Sequence, residues 1–235
     1  MPKLPPAGLY GILDTTWIPI SMLPVAANAL LRGGCSLLQL RMKDSDDRTV
    51  LLAQREVSAV IAASNRPTWL TINDRADLFQ ILSVEAPPNL VPMLHLGQED
   101  IDPTRARAIL GPDTLIGLST HNQAQVAAAQ LAKVDYLGVG PVFPTKTKTR
   151  PDPHIGLEGL KAAVQSSAKP LAAIGGIREQ DVPEIAAAGP RWVVMVSDLF
   201  EGVDFEEERQ LLALSARVEA IQGTLRRHLP QEPRP

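Results

Sequence analysis

The chain has little of three things: cysteine, long apolar stretches and positive charge. Its single cysteine, Cys35, cannot form an internal disulfide, and it lies at the start of an apolar run where a small buried residue is the usual occupant. No apolar stretch is long enough for a membrane span or a secretory signal. We therefore expect a cytoplasmic protein that does not bind membranes, and we assign no chemistry to Cys35.

The charge balance excludes a further class of protein. The formal net charge is -3, whereas binding to duplex nucleic acid or to an anionic membrane usually requires clustered, excess Lys and Arg. We therefore expect no nucleic-acid partner. Any phosphate that the protein binds must be held by a local group of side chains.

Length and composition favour one globular domain. A chain of 235 residues that is 45% hydrophobic can bury a large core, and its length is close to the roughly 250 residues of a one-domain (β/α)8 barrel. Residues 1–7 contain three prolines, and residues 226–235 contain three more among charged residues. These ends predict tails at residues 1–8 and 226–235, around a single domain at residues 9–225.

Within that domain, short runs rich in Val, Ile and Leu alternate with Ala-rich stretches of helical period. The predicted strands are residues 9–13, 36–40, 68–72, 93–96, 114–118, 136–139, 171–174 and 192–196. Such apolar strands, each followed by a long crossover, are typical of a parallel sheet with both faces covered. Eight of them predict an α/β fold, the (β/α)8 TIM barrel. An open doubly wound sheet is the alternative, although no Gly-x-Gly-x-x-Gly follows the first strand.

Polar residues follow seven of the eight predicted strands. In this fold the active site forms at the carboxyl ends of the strands, so these residues are the candidates for chemistry. They are Gln39, Arg41 and Lys43; Asn73 and Asp74; His95, Gln98, Glu99 and Asp100; Ser119, Thr120 and His121; Thr145, Thr147 and Lys148; Gly175 and Gly176; and Ser197.

Several of these segments have the chemistry to bind phosphate. The loop at residues 140–148 has two hydroxyls and two ammonium groups, which suits an oxyanion but also a solvated basic turn. Gly175 and Gly176 would let backbone N–H groups approach a phosphate, although paired glycines are also common in tight turns. Arg41 and Lys43 are two residues apart on an extended chain, so they face the same side and can meet one phosphate.

Asp74 and Asp100 follow neighbouring strands, which would let their carboxylates converge. Mg²⁺ takes oxygen ligands and commonly uses one or two carboxylates together with substrate phosphates. For either aspartate alone, helix capping is the competing role, since each precedes a helical segment. His95 and His121 lack a third His or Cys at zinc spacing, which argues against a structural zinc site.

Taken together, the motifs resemble the thiamine phosphate synthase family. The resemblance runs from about residue 9 to residue 199, and its motifs occur in the order found in that family. They are residues 39–43, 73–74, 95–100, 117–121, 138–141, 145–148 and 174–177.

The resemblance implies a Mg²⁺-dependent transferase with a (β/α)8 barrel. Its substrates would be a hydroxymethylpyrimidine diphosphate and a thiazole phosphate, and its products thiamine phosphate and pyrophosphate. The pyrimidine diphosphate would be bound by Gln39, Arg41, Lys43, Asn73, Ser119 and Lys148. The thiazole phosphate would be bound by Thr145, Thr147, Gly176, Val196 and Ser197, and Mg²⁺ by Asp74 and Asp100.

The implied chemistry needs cations and no nucleophile triad. Pyrophosphate leaves first, giving a pyrimidine methyl cation, if positive groups stabilise its growing charge. The predicted catalytic residues are Arg41, Lys43, Ser119 and Lys148. Asp198 follows Ser197, and a carboxylate near a phosphate site would be unfavourable unless it is turned away.

Two other functions compete with this one. A thiazole tautomerase of the same fold would be a cofactor-free isomerase, which typically lacks the paired aspartates and the diphosphate-binding cations that are present here. A catalytically silent barrel that binds thiamine precursors is the second alternative. The sequence leaves open whether the protein is a homo-oligomer, and whether the thiazole phosphate is carboxylated.

Overall fold

Eight parallel strands close into a barrel in the order of the sequence, so that the last strand pairs with the first. The computed structural model describes residues 3–145 and 152–229. The strands are β1 Gly8–Asp14, β2 Leu37–Arg41, β3 Thr68–Asn73, β4 Leu90–Leu96, β5 Leu115–Thr120, β6 Tyr136–Val139, β7 Leu171–Ala173 and β8 Trp192–Met195. The predicted (β/α)8 barrel is therefore confirmed, with all eight strands at their predicted places.

Helices follow the strands and cover the outside of the barrel. They are α1 Leu23–Arg32, α2 Asp47–Ser64, α3 Ala76–Glu85, α4 Pro103–Leu110, α5 Gln123–Ala129, α6 Gly156–Ser166, α7 Val182–Ala187, α8 Ser197–Phe200 and α9 Glu208–His228. Short 3-10 helices at Ile20–Met22 and Glu179–Asp181 precede α1 and α7. Neither the one-turn helix α8 nor the 3-10 turns show a helical period in the sequence, since they are too short to carry one.

The largest difference in strand bounds is at β4, which begins three residues before its predicted start at residue 93. Pro92 lies inside it, and a proline within a run argues against a central strand. Pro92 pairs with Leu70 of β3, whereas pairing with β5 begins only at Met93. At Pro92 the strand therefore has a neighbour on one side only, where a missing N–H is tolerated.

The strands alternate between two cores. Leu9 and Leu13 of β1 pack outward against the helices, while Tyr10 and Ile12 pack inside the barrel. Parallel strands covered on both faces lead to such a two-layered core. Cys35 belongs to the outer layer, where burial raises the pKa of its thiol to about 12. Its predicted role as an unreactive core residue is consistent with this position.

The amino-terminal residues lie across the bottom of the barrel. Indole Nε1 groups of Trp69 and Trp192 donate to the carbonyl oxygens of Lys3 and Pro6, each at 2.9 Å. Gly8 begins β1, although the composition predicts a tail through this residue. At the other end, α9 continues to His228, and residues 230–235 lie outside the described residues.

Helix α9 covers the seam where β1 and β8 meet. The buried side chain of Gln222 accepts a hydrogen bond from the backbone N–H of Leu9 at 3.1 Å and donates to the carbonyl oxygen of Gly34 at 2.9 Å. The bond to Leu9 is buried, so Gln222 satisfies a backbone N–H that is shielded from water, whereas the bond to the exposed Gly34 is only partly buried.

We predict that Gln222→Met lowers the free energy of unfolding by about 2 kcal/mol, because the buried N–H of Leu9 loses its acceptor while side-chain volume is kept. Chemical denaturation would measure the change. Glu219→Met, at an exposed position of α9, is the control and should change stability by less than about 0.5 kcal/mol. Equal effects in the two variants would contradict the role given to Gln222.

Candidate active site

Two adjoining cavities open at the carboxyl ends of the strands. The larger has a volume of about 720 Å³, and the smaller, of about 90 Å³, reaches into the barrel between β1, β6, β7 and β8. Four residues border both cavities: Asp14, Arg41, Ser119 and His121. The two cavities therefore share part of their wall.

The predicted site residues divide between the cavities. Lys43, Asn73, Asp74 and Asp100 line the larger one. The smaller cavity is lined by Thr145, Gly176, Val196 and Ser197. Predicted diphosphate and metal residues thus lie apart from predicted thiazole phosphate residues, while Arg41 and Ser119 belong to both walls. Thr147 and Lys148 lie outside the described residues.

Gln39 is the predicted ligand that lines neither cavity. It is buried within the barrel, where its Nε2 donates to the Tyr10 hydroxyl at 2.7 Å. Successive side chains on β2 point alternately inward and outward. Gln39 and Arg41 therefore share the inward face, but Gln39 lies two residues deeper. Its contact with the pyrimidine diphosphate stays a prediction.

Asp74 and Asp100 form a close pair of carboxylates at the rim of the larger cavity. Burial raises the pKa of Asp74 above its usual range, the neighbouring Asp100 raises it further, and Lys43 opposes both. The Lys43 Nζ lies 3.4 Å from the Asp74 carboxylate. Among residues 3–145 and 152–229, no group of three or more His, Cys, Asp or Glu side chains is placed to hold a metal ion. The pair is thus a partial, two-carboxylate site.

Neither aspartate caps a helix, so the competing structural role does not apply. Helix α4 is capped by the side chain of Asp102, which accepts from Thr104 and Arg105, and α3 has Arg75 at its N-cap position. The Asp100 carboxylate instead accepts from the backbone N–H of Gly97 at 2.6 Å. Asp74 adopts a left-handed backbone with φ of 63°. Both side chains remain at the cavity.

Asp14 is a site residue that the sequence argument missed. It ends β1, is 1% exposed, and accepts from Arg41 Nη1 at 2.6 Å and from the backbone N–H of Thr16 at 2.8 Å. The buried carboxylate fixes the guanidinium in the wall shared by both cavities. Asp14 directly follows the predicted end of β1 at residue 13. The rule that selected polar residues after the other seven strands would therefore have found it.

The glycines after β6 and β7 serve the packing of two loops. A Cβ on Gly140 would lie 1.9 Å from the carbonyl oxygen of Ile174, and one on Gly176 would lie 2.4 Å from that of Pro144. Gly176 also has a φ of 64°, which disfavours other residues. The backbones of the two loops therefore pack directly against each other, with no room for side chains at these glycines. Gly176 lines the smaller cavity.

Asp198 is turned away from the smaller cavity. Its carboxylate pairs with Arg217 of α9 and accepts from the backbone N–H of Glu179 at 3.1 Å. The Arg217 guanidinium also pairs with the Glu179 side chain. The sequence predicts that Asp198 is unfavourable near a phosphate unless it is turned away. The structure shows it turned away, with its negative charge neutralised outside the smaller cavity.

Comparison with known proteins agrees with this geometry. A family model described as thiamine monophosphate synthase matches residues 9–199. The chain belongs to this family. The thiamine-phosphate synthase of Koribacter versatilis is 37% identical over 84% of this chain and 90% of the relative, and that of Mycobacterium sp. (strain KMS) is 43% identical over 72% and 75%.

A solved structure agrees as well. The thiamine phosphate pyrophosphorylase of Pyrococcus furiosus superposes with a TM-score of 0.73 at 26% identity, covering 93% of this chain and 96% of that one. As a member of the thiamine monophosphate synthase family, the chain is a transferase of thiamine biosynthesis. None of the helices described here has the length and hydropathy needed to cross a membrane.

The repulsion between the paired carboxylates should destabilise the folded protein, and this effect can be measured. We predict that, without metal, Asp74→Asn raises the melting temperature at neutral pH, because it removes a charge that burial and Asp100 disfavour. The raised pKa means that the unfavourable contribution is complete above it and disappears as the pH falls through it. The gain should therefore shrink in acid.

Melting curves in EDTA across a pH series would measure this difference. Asparagine also tolerates the left-handed backbone, but that benefit does not depend on pH, so the pH-dependent part reports the charge. Asp113→Asn, exposed at the opposite end of the barrel, is the control. A gain that is constant across the series would exclude charge repulsion as its cause.

Proposed function

We propose that the chain condenses 4-amino-2-methyl-5-(diphosphooxymethyl)pyrimidine with a thiazole phosphate, giving thiamine phosphate and pyrophosphate. The pair of adjoining cavities is the observation that carries this proposal. A reaction between two phosphorylated molecules needs two anion sites with a common boundary. Arg41 and Ser119 stand at that boundary, so the reacting atoms would meet beside them.

The proposed reaction breaks one bond and forms one. The bond between the methylene carbon and the diphosphate oxygen breaks, and its electron pair leaves with pyrophosphate. The lone pair of the thiazole nitrogen then forms the new carbon–nitrogen bond, and the nitrogen becomes quaternary. No proton has to be removed, so the protein acts by orienting the substrates and stabilising negative charge.

Arg41 is suited to the charge that develops on pyrophosphate. Asp14 holds its Nη1, which restrains the guanidinium in the wall shared by both cavities. Lys43, with a more exposed side chain, would add a second cation at the rim. Lys148 remains a predicted third, and Thr145, Thr147, Gly176, Val196 and Ser197 remain the predicted thiazole phosphate residues.

Asp74 and Asp100 would hold Mg²⁺ together with the diphosphate. A two-carboxylate site fits this ion, which commonly completes its ligand set with substrate oxygens and water. When bound, Mg²⁺ would supply positive charge that stabilises the departing pyrophosphate. It would also offset the repulsion within the carboxylate pair, so metal and substrate binding would support each other.

The proposed partners are therefore small phosphorylated molecules in a cytoplasmic setting, without nucleic acid or membrane. The thiazole tautomerase alternative gives no role to the paired carboxylates or to the Asp14–Arg41 pair. A silent precursor-binding barrel accounts for the ligands but not for turnover.

We predict that the purified chain releases pyrophosphate and forms thiamine phosphate from both precursors only when Mg²⁺ is present. A coupled pyrophosphate assay with chromatographic detection of thiamine phosphate would measure both products. Absence of pyrophosphate release across a broad pH range would refute the synthase proposal. A tautomerase would release none, and a silent barrel would bind the precursors without turnover.

Asp100→Asn should reduce kcat/KM by about 10²-fold and raise the Mg²⁺ concentration needed for half-maximal rate, because a charged ligand is lost from an exposed site. Asp113→Asn is again the matched control and should retain the wild-type rate. Unchanged turnover in Asp100→Asn would remove Asp100 from the metal site.

A further inference from the structure

A continuous chain of hydrogen bonds crosses the inside of the barrel and ends at Ser119. Gln39 Nε2 lies 2.7 Å from the Tyr10 hydroxyl, which lies 3.2 Å from the Tyr136 hydroxyl. The Tyr136 hydroxyl lies 3.0 Å from His95 Nδ1, and His95 Nε2 lies 2.9 Å from Ser119 Oγ. Five strands each contribute one residue, and all except Ser119 are buried.

The chain has a direction, because its first member can only donate. Gln39 Nε2 carries hydrogens and no acceptor, so the Tyr10 oxygen accepts from it, and each bond of the chain then has one donor when Tyr10 donates to Tyr136. Burial raises the pKa of both phenols, so each keeps its proton. In this arrangement Tyr136 donates to His95 Nδ1, and Nδ1 is the unprotonated nitrogen of the ring.

The direction continues to the cavity wall. A neutral His95 that accepts at Nδ1 carries its hydrogen on Nε2, and that hydrogen is donated to Ser119 Oγ. The Ser119 hydroxyl hydrogen cannot then point back to the imidazole. It is free to point into the two cavities that Ser119 borders, where a phosphate oxygen would accept it.

Two glycines make room for this chain. A Cβ on Gly117 would lie 2.1 Å from Tyr136 Cζ, and a Cβ on Gly138 would lie 3.2 Å from His95 Cε1. Glycine within a strand costs stability, and it often marks a close approach by another group. Here the groups that approach are the Tyr136 ring and the His95 imidazole, so the packing of β5 and β6 is fitted to the chain.

We propose that Tyr136 is a positioning residue, which holds His95 in its Nε2–H tautomer and so directs the Ser119 hydroxyl hydrogen toward the departing pyrophosphate. The inference rests on the proposed function for the identity of that ligand. A donor aimed at an oxygen whose charge grows during the reaction stabilises the transition state more than the bound substrate. Tyr136 should therefore affect kcat more than KM.

The first test is the tautomer of His95 in the substrate-free protein. Two-bond nitrogen–hydrogen NMR spectra of the imidazoles, with His95 assigned by the signal lost in His95→Asn, should show the Nε2–H form. An Nδ1–H form in the wild-type protein would overturn the inference. This measurement needs neither turnover nor a variant of Tyr136, so its result is independent of the proposed function.

The second test compares Tyr136→Phe with Tyr10→Phe. Each removes one buried phenol hydroxyl from the same core cluster, but only Tyr136→Phe takes the donor away from His95 Nδ1. We expect Tyr136→Phe to lower kcat by about 10-fold with little change in KM and to give a mixture of tautomers. Tyr10→Phe removes an alternative acceptor for the Tyr136 hydrogen and leaves His95 Nδ1 in place, so it should keep the wild-type tautomer and lose less than about 2-fold in kcat.

A double-mutant cycle with Ser119→Ala completes the test. If Tyr136 acts through Ser119, Tyr136→Phe should have no further effect on kcat in the Ser119→Ala background. Equal losses in Tyr136→Phe and Tyr10→Phe, or losses that add in the double variant, would show a general effect on the core and overturn the inference. Failure of the wild-type protein to release pyrophosphate would instead refute the proposed function.

Discussion

The closure of eight parallel strands into one barrel is the constraint on which the site depends. Parallel pairing brings every carboxyl end to the same mouth, and closure brings strands that are far apart in sequence to the same wall. Asp14 and Arg41 meet across β1 and β2, and Ser119 joins them from β5 at the boundary of both cavities. The site is thus assembled from strand ends, while the helices hold those ends in register.

The barrel interior has to be filled, and it is filled differently at its two ends. Near the amino end, Trp192 and Met93 pack as an apolar plug beneath the amino-terminal residues. Toward the mouth, polar side chains take over, and those from Gln39 to Ser119 bond one another, while the buried Thr71 hydroxyl beside them has no hydrogen-bond partner among the described residues. A half-satisfied buried network would be costly, so each member from Gln39 to Ser119 has its partner.

Much of the fold could be predicted from the sequence, because periodicity and spacing report strands, helices and their order. Strand ends then located Arg41, Asp74, Asp100 and Ser119, since a barrel places all such residues together. Depth could not be predicted: the family resemblance makes Gln39 a ligand, and the structure places it within the barrel, where it bonds Tyr10. The hydrogen bond between Tyr136 and His95 could not be predicted either, because the two residues are forty-one positions apart and no local pattern links them.

Helix α9 has a wider consequence than its place at the end of the chain suggests. The family match ends at residue 199, so every predicted ligand precedes this helix. Yet Gln222 accepts a hydrogen bond from the backbone at the start of β1, and Arg217 pairs with the Asp198 carboxylate just after β8. Residues of an outer helix can therefore affect the loop that borders the smaller cavity. Substitutions on this outer helix would change the structure of β1 and of the segment after β8.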